Sequence, residues 1–145
     1  MALAGRAALI QGKSGSGKSD LALRCLMRAP DALVPLQAEL VADDQVRLTA
    51  KNGRLRAAPP ASLRGLIEVR GLGIVGVPTV ADAELVLVVN LVAPDQVERL
   101  PDPFPRSKLL GIALPVIRLA PFEASAPLKL LLALHRLNSA GEITS

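Results

Sequence analysis

Short apolar runs separated by glycine and proline alternate with two stretches of helical spacing. Ala7–Gln11 is apolar and ends at glycine, which predicts a buried strand. Lys18–Arg28 places Leu21, Ala22, Cys25 and Leu26 on one helical face, and Pro30 stops it. Glu39–Ala42 predicts a second short strand, ending at Asp43-Asp44. Val46–Ala50 and Arg54–Ala58 flank Asn52-Gly53, a pair that tolerates positive φ, so they predict a hairpin closed off by Pro59-Pro60. Leu66–Val69 reads as a strand, and the Gly71/Gly73/Gly76 stretch after it as a tight loop. Leu85–Leu91 is apolar on both faces apart from Asn90, the pattern of a central strand. Val92–Lys108, with four of the twelve prolines, predicts irregular chain. Ile112–Leu119 resumes as one or two strands broken around Pro115. Ser125 then caps a closing helix, with Pro127 in its first turn and Leu128, Leu131, Leu132 and His135 on one face. This order gives a single α/β domain with a mixed sheet.

The 145 residues match one domain, and a chain that is 50% apolar and 21% charged is not disordered. Its apolar content is aliphatic: Phe104 and Phe122 are the only aromatics, which argues against aromatic base stacking on single-stranded nucleic acid. The net charge of +4 is spread along the chain without a basic run. It suits a phosphorylated ligand or acidic partner better than a nucleic-acid surface. The single cysteine, Cys25, allows no internal disulfide, fits a reducing compartment and falls on a buried helix face. The charge-free stretches Gly71–Ala81 and Leu85–Pro94 are too short to cross a membrane, and Arg6 interrupts any signal-like run. A soluble, cytoplasmic protein without membrane contact is expected.

Gly12-Lys13-Ser14-Gly15-Ser16-Gly17-Lys18-Ser19 satisfies G-x-x-x-x-G-K-[ST] at every fixed position. Glycines let main-chain N–H groups turn inward around phosphate oxygens. Lys18 reaches the β- and γ-phosphates, the Ser19 hydroxyl can ligate Mg²⁺, and the helix opening at Lys18 adds its dipole. Lys13 and Ser16 either contact phosphate or fill space. The strand before and the helix after are the setting the motif requires, so nucleoside triphosphate binding is expected.

Phosphoryl transfer also needs a second hold on the metal and a group that takes the acceptor's proton. Asp43-Asp44, 24 residues past Ser19 at a strand end, is the candidate pair. On a strand only one carboxylate would face the phosphates; in a loop both could. A solvated acidic turn before the hairpin is the bland alternative.

GKSGSGKSDLALRCL, LVADDQV and IEVRGLGIV, in that order, resemble the catalytic domain of HPr kinase/phosphorylase, a bacterial family that phosphorylates a serine of the phosphocarrier protein HPr and can reverse the reaction. The resemblance is strong from about Gly5 to Gly76 and thinner through Arg99 and ALPVIRL. It implies a fold like the nucleotide domain of phosphoenolpyruvate carboxykinases, ATP and Mg²⁺ as cofactors, an HPr-like partner and a homo-oligomer, often a hexamer. Residue by residue, it implies Lys18 on the γ-phosphate and Ser19 on Mg²⁺. The acid/base falls on Asp44 with Asp43 beside it, and Glu68 is a second metal-associated carboxylate. Arg70-Gly71-Leu72-Gly73 would form the catalytic loop, and Arg99 would stabilise charge on the transferring group.

The sequence departs from the family at three places: the histidine just before the family's first strand has no counterpart, either because the start is truncated by a few residues or because this member lacks it; Ala120–Ser125 stands where the Pro-Val-x-Pro-Gly-Arg-Asn loop tied to dephosphorylation is expected; and the long N-terminal regulatory domain of many members is not in the sequence. A short single-domain form is therefore expected. A small-molecule kinase, or a nucleotide-sensing adaptor that binds ATP and a protein without transfer, are the rival readings. His135 is expected to pack at a helix end. Arg54, Arg56 and Arg64 surround the hairpin and would either meet an acidic partner or remain a solvated face.

Overall fold

The computed structural model describes residues 1–61 and 65–140, so Arg64 lies outside the described residues. Among the described residues nine strands and two helices follow one another: β1 (Ala2–Leu3), β2 (Arg6–Gln11), α1 (Lys18–Met27), β3 (Arg47–Lys51), β4 (Arg54–Ala58), β5 (Leu66–Val69), β6 (Gly73–Gly76), β7 (Ala83–Leu91), β8 (Arg106–Leu109), β9 (Ile112–Leu119) and α2 (Ala126–Ala140). A 3₁₀ turn, Pro94–Gln96, follows β7.

β7 organises the main sheet. Along one edge it pairs in parallel with β2, from Arg6↔Glu84 to Gln11↔Asn90. Its other edge is shared by two strands. β4 takes the first part antiparallel, at Ala83–Leu85, and β9 takes the last part in parallel, at Val88–Leu91. β3, β8 and β1 complete a seven-stranded mixed sheet. β7 is buried on both faces, which is why its sequence is almost wholly apolar.

The register between β2 and β7 slips by one residue at Ala7/Ala8, leaving Val86 unpaired as a bulge. Leu85 therefore faces one core while Val86 and Leu87 both face the other. On the helix-covered face, Leu87, Val89 and Leu119 pack against Leu21, Cys25, Leu130 and Leu134. On the opposite face, Leu85, Val88 and Val116 meet Leu55 and Val41.

Four local expectations change. Glu39–Ala42 is not a strand: Glu39 bridges Ala2 and Leu40 bridges Thr79, two different partners, so no ladder extends. The glycine stretch after β5 is not merely a loop. Its Gly73–Gly76 part returns as β6 and pairs with β5 in a separate two-stranded sheet. Arg106–Leu109, within the stretch predicted to be irregular, forms β8. Pro115 does not break β9, because it pairs with Arg106 while the adjacent Val116 N–H donates to Pro105 O at 2.8 Å. Ladder pairing with β7 begins only at Val116, so the missing proline donor is not needed.

The helix boundaries agree with the sequence, but the face of α2 is rotated. Ser125 is the residue before the helix, and its carbonyl accepts from Lys129 N at 2.9 Å. Leu130, Leu131, Leu134 and Leu137 are buried, whereas Leu128 is exposed and Leu132 and His135 are half-buried. Arg54 and Arg56 pair within the chain, with Glu84 at 3.8 Å and Asp82 at 2.7 Å. No described helix is long and apolar enough to cross a membrane.

Candidate active site

The glycine-rich loop leaves the C-terminal end of β2 and enters α1 at Lys18, beside the parallel strands β7 and β9. Its curvature requires glycine at specific points. Gly15 and Gly17 have φ of +80° and +101°, the left-handed region that L side chains rarely adopt. A Cβ on Gly12 would collide with Ser16 Oγ, and Ser16 N–H donates to Lys13 O at 3.0 Å to close the turn. Ser16 Oγ is buried with no hydrogen-bond partner among the described residues. A side chain at Gly12 would thus displace the Ser16 hydroxyl, which is buried and unsatisfied. An oxyanion ligand fits both features.

Asp43 is joined to this loop. Ser19 Oγ donates to Asp43 Oδ1 at 2.6 Å, and Glu68 N–H donates to Asp43 Oδ2 at 3.1 Å. One carboxylate therefore links the first turn of α1 to β5. Asp43 and Asp44 lie in a bend rather than on a strand, and both line a small cleft with Lys18, Ala42 and Val46. Asp43 is half-buried and engaged; Asp44 is exposed and makes no hydrogen bond among the described residues. The site places the contact with Ser19 on Asp43, although the resemblance put the acid/base on Asp44. The open-loop alternative, with both carboxylates at the cleft, is the one observed.

The remaining candidates divide. Glu68 reaches Asp43 through its main chain, while its side chain is solvent-exposed. Among the described residues no three His, Cys, Asp or Glu side chains cluster to hold a metal. The Ser19 hydroxyl and Asp43 carboxylate are nonetheless hard oxygen donors of the type Mg²⁺ accepts. Arg70, Gly71 and Leu72 form the turn of the β5–β6 hairpin, with Gly71 at φ +85° and Leu72 N–H donating to Val69 O. The hairpin's other face, Ile67 and Val75, packs into the helix-side core, and the Glu68 N–H ties β5 to Asp43. Arg99 is not brought to the Lys18 cleft. It lines a separate groove of about 290 Å³ with Arg118, Lys129 and Arg136. Lys13, Ser14 and Gly15 are exposed on the loop. Cys25 is fully buried, and burial pushes its thiol up to about 11, so it is a core residue and not a nucleophile.

Two residues beside the loop were not among the candidate site residues read from the sequence. Arg24 on α1 donates to Pro121 O and, at 3.1 Å, to Glu123 O, while its Nε pairs with Asp20 at 2.9 Å. This holds the turn after β9 against the start of α1, where the Phe122 ring lies over Gly17. An isolated aromatic just past a predicted strand, in a chain nearly without aromatics, was the available signal.

A glycine-rich loop between a parallel strand and a helix, with a carboxylate on its terminal serine, defines a phosphate-loop α/β domain. The family model of the HPr serine kinase C-terminal domain matches residues 1–133, and the chain belongs to that family. HPr kinase/phosphorylase of Bordetella pertussis is 39% identical over 108 residues, covering 67% of this chain and 32% of that protein. HPr kinase/phosphorylase of Clostridium tetani is 38% identical over 84 residues, covering 58% of this chain and 25% of that protein. The chain thus spans about a third or less of the length of these relatives. The solved Hpr(Ser) kinase/phosphatase from Coxiella burnetii superposes with a TM-score of 0.74 at 28% identity, covering 96% of this chain and 91% of that one.

Proposed function

We propose that this chain transfers the γ-phosphoryl group of ATP to a serine hydroxyl of an HPr-like phosphocarrier protein. The observation that carries the reading is the Ser19–Asp43 contact, which joins a complete phosphate loop to a bend bearing a second carboxylate. Lys18 and the loop's N–H groups hold the β- and γ-phosphates. Ser19 and Asp43 would hold Mg²⁺, which on binding offsets charge on the phosphate oxygens. Asp44, exposed at the same cleft, takes the proton of the incoming serine as its oxygen bonds to the γ-phosphorus and the bond to the β-phosphate oxygen breaks, releasing ADP. In the phosphorolytic direction an oxygen of inorganic phosphate would bond to the phosphorus of phosphoserine as the bond to the serine oxygen breaks, the same carboxyl returning the proton to that oxygen and pyrophosphate leaving.

Glu68 is read as the second metal-associated carboxylate, and Arg70 as a contact for the acceptor at the hairpin turn. Arg99, in its separate groove, is assigned no step. The family resemblance extends the reading to a hexameric, cytoplasmic enzyme with a phosphoenolpyruvate carboxykinase-like nucleotide fold.

The test is labelling of HPr from γ-labelled ATP with Mg²⁺, comparing the chain with Asp43→Asn and Asp44→Asn. Asp44→Asn should bind ATP normally and lose transfer, and Asp43→Asn should lose the Mg²⁺ dependence of ATP binding. Tight ATP binding with no transfer by the wild-type chain would instead support the sensing adaptor.

A further inference from the structure

We propose that Phe122 is the platform on which the nucleotide's purine base stacks, a subsite that rests on the reading of the glycine-rich loop as a nucleoside triphosphate site. Phe122 is 72% exposed, unusual for an aromatic side chain in a chain with only two. The other, Phe104, packs against the helix-side core. Exposure here is not looseness, because the turn bearing Phe122 is tied down by Arg24, which donates to the carbonyls on either side of it, Pro121 and Glu123. The ring is held so close to the loop that a Cβ on Gly17 would lie 3.0 Å from its Cε1 and Cζ and 3.3 Å from Pro121 Cβ.

Its position relative to the metal end fits a base. Lys18, Ser19 and Asp43 mark where the terminal phosphates and metal sit. The nucleoside must leave the loop on another flank. Arg24 follows Ser19 by five positions, which is roughly 140° around the helix, so the Phe122 turn packs on a flank well away from Asp43. The turn also follows β9, the parallel strand beyond β7 from the loop-bearing β2. Ligands in α/β sheets gather at such carboxyl ends. A flat, exposed ring on an anchored turn there offers a π-face, which any base can use without hydrogen-bond readout.

Calorimetric titration with Mg·ATP and, separately, with Mg·tripolyphosphate tests this on the wild-type chain and Phe122→Ala. Stacking strengths convert to an affinity loss for ATP on the order of ten- to a hundredfold, with tripolyphosphate affinity held within about twofold. A second variant guards against misfolding. Phe122→Trp introduces the only tryptophan in the sequence, and its fluorescence should be quenched by ATP and not by tripolyphosphate. Unchanged ATP affinity in Phe122→Ala, an equal loss for both ligands, or no ATP-specific quenching would overturn the proposal. Unchanged ATP affinity with a raised KM for HPr would make Phe122 a protein-docking residue instead. A wild-type chain that binds neither ligand would defeat the nucleotide reading itself, a result distinct from wild-type binding that the alanine variant retains.

Discussion

Replacing Asp43 should separate its structural from its chemical contribution. Its carboxylate accepts from Ser19 Oγ at 2.6 Å and from Glu68 N at 3.1 Å, joining α1 to β5. Hydrogen bonds to a charged acceptor contribute about 1.5–3 kcal/mol each when well buried, and Asp43 is only half-buried. Removing both in Asp43→Ala should therefore cost about 1–2 kcal/mol, at the low end because water can replace the lost partner. For a domain this size that lowers Tm by roughly 3–7 °C. Asp43→Asn keeps one carbonyl acceptor and should lose less than about 1 kcal/mol, yet lose the anion that Mg²⁺ requires. Urea denaturation and calorimetric ATP binding with and without Mg²⁺ measure the two effects on the same samples. An alanine variant as stable as wild type, or an asparagine variant that still gains ATP affinity from Mg²⁺, would refute the reasoning.

Gly12→Ala should fold but bind ATP at least tenfold more weakly, since its methyl group would meet Ser16 Oγ inside the loop; circular dichroism and calorimetry check the two halves. Arg99→Ala should change ATP affinity less than twofold, because Arg99 lines a groove sharing no residue with the Lys18 cleft; a large loss would place it at the phosphates after all. The Cys25 thiol is raised from 9.0 to about 11 by burial, so the unfolded chain releases this proton at lower pH than the folded chain does. Its contribution is complete below pH 9 and is lost as pH rises toward about 11. Urea midpoints at pH 8 and 10 should fall more for wild type than for Cys25→Ala.

The phosphate loop, β2, α1, the β3–β4 hairpin and the central strand were legible because each depends on local chemistry: turn glycines, an Asn-Gly pair, a proline stop or an unbroken apolar run. Segments whose conformation depends on distant partners were not. Leu40 looks like strand sequence but finds only one bridge to Thr79. Gly73 and Gly76 look like loop sequence, yet Ile74 and Val75 alternate between solvent and core because β5 pairs with them. In α2, leucine or alanine occupies so many positions that periodicity could not choose between faces; packing against Leu21 and Leu87 did. The acidic pair was found as a pair, but which carboxylate reaches Ser19 depends on a bend stabilised by the Glu68 main chain, invisible in the residue pattern. The part Arg24 and the Phe122 turn play escaped because the tie between them, from Arg24 to the Pro121 carbonyl, spans 97 residues of chain.

The most direct measurement is to incubate the chain with γ-labelled ATP, Mg²⁺ and purified HPr, then locate the label by mass spectrometry. Label on an HPr serine, abolished by Lys18→Ala and by withholding Mg²⁺, is the result expected. An unlabelled HPr in the presence of saturating, demonstrably bound ATP would contradict the account.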